Sequence, residues 1–163
     1  MYPISGVRFA TVNAGIKSGN GEDVTLIVLE AETVVAGLFT KSMTRSAPVI
    51  DCQNKIGMEI KNNGAAIIIN AGNANAFTGR QGEIAVHEII AALSKRVEVP
   101  VERIFSSSTG VIGEPLEYEK IINVLDYLVD SVHEAKIEDA AKAIMTTDTF
   151  PKGSSVELSD KGA

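Results

Sequence analysis

Residues 106–116, SSSTGVIGEPL, set three serines, a threonine and a glycine directly after the apolar run 101–105. In Ser108, Thr109 and Gly110, a threonine hydroxyl and the N–H of a residue without a Cβ can be aimed at one point. Two donors converging on a developing negative oxygen are what an oxyanion hole requires, and losing one typically slows the reaction by about 10²–10³. The same residues read equally well as a polar loop that caps a following helix. Two other stretches carry similar chemistry. In INAGNANAFTG, 69–79, asparagines and glycines crowd the exit of an apolar run, where α/β folds often bind ligands. Asparagine also closes local turns, so a structural turn capping the next helix is the plainer reading, with Asn70 and Asn75 as loop residues near any pocket. In MTTDTFPK, 145–152, hydroxyls and a carboxylate could orient a polar substrate, or simply end a helix before a proline-restricted turn.

No nucleophile accompanies these donors. His87 falls one position beyond an apolar helical stripe, and His133 falls at a helix end beside Glu134, where a cation suits the helix dipole. Both read as structural or surface residues. Cys52 is the only cysteine, with no histidine near it in sequence, and reads as buried rather than reactive. A single cysteine permits neither an internal disulfide nor a cysteine zinc cluster, which fits a reducing, cytoplasmic setting. No metal site is visible. The glycines match neither a dinucleotide-binding nor a phosphate-binding loop.

Elements must hold these stretches in place. The chain has 163 residues, 45% hydrophobic and 22% charged, an ordinary globular mix sized for one domain spanning 1–163. Its net charge of −6 argues against a nucleic-acid binder. No apolar run approaches the roughly 18 residues that a membrane span needs, and the N-terminus lacks a signal-peptide pattern. Aromatics are only 5%, so the core must be aliphatic. The β-branched runs 24–29 and 33–40 read as a hairpin or neighbouring strands, preceded by a glycine-rich turn. Residues 45–50 read as an edge or irregular piece because of Pro48. The continuous run 65–70 reads as a strand covered on both faces.

Helical spacing then predicts three helices. The first spans 83–97, with Val86, Ile89, Ile90, Leu93 and Val97 on one stripe. The second spans 113–132, with Ile121, Leu125, Leu128 and Val132, and with Pro115 in its first turn. The third spans 137–144, with Ala140, Ala141 and Ile144 facing inward. A strand is expected to begin at Val156. The order implies an α/β fold of mixed sheets with packed helices.

Taken in order, AGLFTKSMTRSAPV, INAGNANAFTG, SSSTGVIGEPL and MTTDTFPK resemble the ornithine acetyltransferase family of arginine biosynthesis, also called glutamate N-acetyltransferase. The resemblance runs from about Gly6 to Lys152. It implies a self-processing acyltransferase of the N-terminal-nucleophile type, in which this sequence is the α chain and a β chain completes the site. The first residue of that β chain is a threonine, the nucleophile, whose own α-amine or a neighbouring group serves as base. Acetyl passes from N-acetylornithine to glutamate through an acetyl-threonine, and some members also take acetyl from acetyl-CoA as a substrate. No cofactor is implied, and an α2β2 heterotetramer is the implied assembly. By position, Thr109 and Gly110 match the family's oxyanion pair, and Thr146 matches a substrate-contacting threonine.

One departure stands out. Family α chains continue through Lys-Gly-Ser-Gly-Met to Asn-Met-Ala before the nucleophile, whereas this sequence stops at SDKGA, more than a dozen residues short. The expectation is that the chain ends before the self-cleavage junction, so the family's substrate lysine is not assigned to Lys161. The alternative is a shortened member cut directly after Ala163. Two other functional classes remain: a non-catalytic binding module that keeps the pocket, and a related self-processing amidase or aminopeptidase.

Overall fold

The computed structural model describes residues 2–58, 64–133 and 136–157. Four strands form one sheet: β1 (Val7–Val12), β2 (Val24–Leu29), β3 (Ala65–Asn73) and β4 (Ile104–Val111), in that spatial order. The first two pairings are antiparallel and the β3–β4 pairing is parallel. Between the strands run helices α1 (Ala47–Lys55) and α2 (Gly79–Val97), followed by α3 (Tyr118–Asp130) and α4 (Ile137–Ala143). The expected class, a mixed sheet with packed helices, is the one found.

Strand alternation sorts the core onto faces. Register aligns Ala10 with Leu26 and Leu26 with Ile68, while Ala66 aligns with Ile104. These residues share one face and pack with the stripes of α2 and α3. Ile89, Ile90 and Leu93 from α2 and Ile121, Leu125 and Leu128 from α3 are all buried, as their spacing predicts. On the opposite face, Ala65 and Phe105 meet Cys52 of α1, with Ile67 packed alongside. The two-sided cover expected for the β3 run is therefore real. Helix α4 packs against β1 and β2, with Ala140 and Ala143 buried.

Several expectations fail, each for a physical reason. The run 33–40 is not a strand. Both edges of β2 are already taken, by β1 and β3, so no ladder is open to it. Glu32, at φ 68°, turns the chain away at the end of β2. Val34 and Leu38 are consequently exposed, at 88% and 103%. The partner that β2 does take, β1, is a strand the sequence reading did not single out. Residues 45–50 enter α1 rather than a sheet edge: Ser46 is the N-cap and Pro48 sits in the first turn, where its missing N–H costs nothing.

Helix α2 begins a turn earlier than expected, at Gly79, and ends where Glu98 adopts left-handed geometry. Helix α3 begins five residues later than expected, so Pro115 lies in the loop before it. The Asn73 amide donates to the carbonyls of Glu114 and Pro115, at 3.0 and 3.4 Å, and holds that loop extended. Ile144 caps α4 and is 41% exposed rather than inward-facing; Ala143 takes the inner position. Val156 and Glu157 form no strand, while Leu158 onward, with Lys161 and Ala163, lies outside the described residues, as does Glu134.

Candidate active site

Because β3 and β4 run parallel, their carboxyl ends emerge side by side, as a crossover through α2 requires. Thr109 and Gly110 are the last turn of the pleat in β4, not a loop beyond it: Thr109 pairs with Ala71 and Gly110 with Gly72, and the register then slips at Asn73. The helix-capping alternative for these residues does not hold, since the residue capping α3 is Glu117. Gly110 has φ 134°, and a Cβ there would stand 2.3 Å from the carbonyl carbon of Gly72. Gly72 has φ 103°, and a Cβ there would stand 2.9 Å from the backbone of Ile16 and Lys17. Three backbone segments are thus stacked at contact distance, and only glycine fits at the two inner positions.

A buried polar network stiffens this edge. Ser108 Oγ donates to Asn70 Oδ1 at 2.6 Å, and Asn70 Nδ2 donates to the Asn73 carbonyl at 2.8 Å. The Asn75 N–H donates to Asn73 Oδ1 at 2.7 Å. Asn75, fully buried, donates through Nδ2 to the Gly82 carbonyl and accepts from the Thr78 hydroxyl at 2.8 Å. Asn75 and Phe77 both have positive φ, 45° and 57°, a strained path that persists only where the surroundings impose it. The asparagines are therefore the turn that the plainer reading described: they stand behind the site and secure the start of α2.

The site itself is a cleft of about 590 Å³ lined by Lys17, Gly72, Thr109, Gly110, Glu114 and Thr146, among others. The three residues singled out in sequence, Thr109, Gly110 and Thr146, face the same space. Asn70 and Asn75 do not line it. Lys17, Gly72 and Glu114 are the residues that sequence reasoning missed. A usable signal was present in Asp23, an acid placed between a glycine-rich turn and an apolar strand. It is 1% exposed, and its carboxylate accepts the N–H groups of Ala14, Ile16 and Lys17 at 2.7, 2.6 and 2.9 Å. That buried anion shapes the wall of the cleft.

Neither histidine nor the cysteine lines this cleft. His87 is exposed, 3.6 Å from Glu88. His133 follows α3 and exchanges backbone hydrogen bonds with Phe9 at 2.9 and 2.8 Å. Burial pushes the Cys52 thiol above its ordinary value, and the thiol donates to the Ser106 carbonyl at 3.2 Å. Among the described residues, no group of three or more His, Cys, Asp or Glu could hold a metal ion. None of the helices is long and apolar enough to cross a membrane, again among the described residues. What the cleft brings together are the threonines Thr109, Thr146 and Thr147, the glycines Gly72 and Gly110, and the charged Lys17 and Glu114.

The fold is shared with known enzymes. Ornithine acetyltransferase from Mycobacterium tuberculosis, solved in complex with ornithine, superposes with a TM-score of 0.82 at 32% identity, covering 91% of this chain and 79% of that one. The arginine biosynthesis bifunctional protein ArgJ of Bacillus halodurans gives 0.81 at 29% identity, covering 90% and 75%. In sequence, the ArgJ of Ruegeria pomeroyi is 52% identical over 152 residues, and that of Bartonella quintana 45% over 150. The ArgJ family model matches residues 8–163. The chain belongs to the ArgJ family. It spans 37% of the length of the Ruegeria pomeroyi protein and 36% of the Bartonella quintana one.

Proposed function

We propose that this chain is the α part of an ornithine acetyltransferase of arginine biosynthesis, moving acetyl from N-acetylornithine to glutamate in the cytoplasm. The nucleophile is a threonine that self-cleavage exposes at the start of a β chain, and the assembly is α2β2. In this reading the β-chain threonine hydroxyl attacks the acetyl carbonyl, whose oxygen gathers negative charge between the Thr109 hydroxyl and the Gly110 N–H. Ornithine leaves, an acetyl-threonine remains, and the amine of glutamate takes the acetyl group. The threonine's own α-amine, or a neighbouring group, moves the proton. Thr146 contacts the substrate from across the cleft. The chemistry uses no metal and no cofactor, with acetyl-CoA entering only as a further acetyl donor.

One observation carries the reading: Thr109, Gly110 and Thr146, drawn from β4 and from the exit of α4, line one cleft. Family membership and the ornithine complex of the Mycobacterium tuberculosis relative support it. The test uses this chain together with the remainder of its precursor. Thr109→Ala should lower turnover by about 10–10³-fold with a smaller change in substrate binding. Unchanged turnover removes the oxyanion role. Acetyl transfer from N-acetylornithine to glutamate, assayed against release of acetate, separates a transferase from the amidase alternative.

A further inference from the structure

We propose that Lys17 is a positioning residue whose ammonium latches the exit of α4 and so fixes Thr146 relative to the Thr109–Gly110 edge. The inference rests on the reading above for the role of Thr146, but its geometry is independent of it.

The two sides of the cleft are built differently, and Lys17 belongs to both. Its backbone is locked to the Asp23 carboxylate at 2.9 Å and lies against Gly72, which in turn touches Gly110. From there its side chain crosses to α4. Nζ donates to the Met145 carbonyl at 3.2 Å and, more loosely, to the Ala143 carbonyl at 3.5 Å. These are carbonyls at the end of the helix, where no further turn supplies N–H donors to them and a cation is favoured by both hydrogen bonding and the helix dipole. Thr146 is the residue immediately after the clasped Met145 carbonyl. Helix α4 has only seven residues, too few to define its own end without tertiary support. From Thr146 to Glu157 every residue is exposed. Lys17 therefore joins a stiff edge to a lightly held one, and the span of its side chain sets the width of the cleft at Thr146.

The processed two-chain enzyme provides the test. In Lys17→Met, amide hydrogen exchange over 144–149 should accelerate about tenfold while α2 stays unchanged, the signature of local rather than global opening. KM for the acetyl donor should rise about tenfold with kcat within about threefold, and Lys17→Arg, which keeps charge and donors, should recover most of that loss. Combined with Thr146→Val, the two KM effects should fall short of multiplying, since both act through one contact. Unchanged exchange at 144–149, exchange raised equally in α2, or fully multiplicative effects would each overturn the proposal. If neither Lys17→Met nor Lys17→Gln assembles, Lys17 serves the whole fold and the proposal is again overturned. An inactive-site result elsewhere is separable: Thr109→Ala with full turnover sinks the acetyl-transfer reading and leaves the exchange measurement standing.

Discussion

The two walls of the cleft differ in what holds them. On the β3–β4 side, glycine backbones are stacked at contact distance and every buried asparagine has partners, so position is set by covalent geometry and satisfied hydrogen bonds. On the α4 side, Thr146 follows a seven-residue helix and is itself exposed. The contrast suits the proposed roles: donors for a developing charge demand fixed placement, because preorganisation is what makes them effective. A residue that greets a substrate can sit on a softer segment, which adapts as substrate enters and leaves.

Substitutions can break that contrast, beginning with the stiff wall. Gly110→Ala should cost about 4 kcal/mol or prevent folding, since the new Cβ would meet the Gly72 backbone at 2.3 Å and φ would be strained as well. A melting temperature within a few degrees of the parent would show the stacking to be looser than described. Asn75→Ala should cost about 2–3 kcal/mol by denaturant titration, because it strips the Gly82 carbonyl and Thr78 hydroxyl of a buried partner. A cost below about 0.5 kcal/mol would mean that the network is decorative. On the soft wall, Thr146→Val should leave the melting temperature unchanged while raising KM a few-fold, about 3–10. A stability loss equal to that of Asn75→Ala would erase the distinction between the two walls.

The smallest effect is expected from an exposed ion pair on the soft segment. The Lys152 ammonium beside Asp148 holds that carboxyl below its ordinary value. A carboxyl depressed in the folded state adds stability above its unfolded value and loses it as pH falls through the folded one. The pair is exposed, so water and salt screen it. Lys152→Gln should therefore leave melting curves at pH 7 superimposable on the parent, and a clear drop would show the soft segment to be better anchored than its exposure implies.

How far the sequence exposed all this depended on whether the physics was local. The stripes of α2 and α3 and the apolar runs of β2 and β3 are periodic, so burial follows from spacing alone. The run 33–40 has the composition of a strand but no edge to join, and edge availability is a property of the sheet rather than of the run. Pro115 suits a first helical turn, yet a side chain 41–42 residues away claims the carbonyls around it. The order of four motifs singled out Thr109, Gly110 and Thr146, which line one cleft. Lys17 was not, because its partners lie about 126–128 residues away and its neighbours look like any glycine-rich turn.

The stretch 34–43 after β2, which joins no strand ladder, has a practical side. With Val34, Leu38 and Met43 bare on one stretch of backbone, the polypeptide produced by itself carries a sticky ribbon on its surface. Purified alone, it should cluster as concentration rises, and light scattering at a few dilutions would reveal this. Charged replacements at Val34 and Leu38 should clarify such solutions without touching the core, since neither side chain contributes to it.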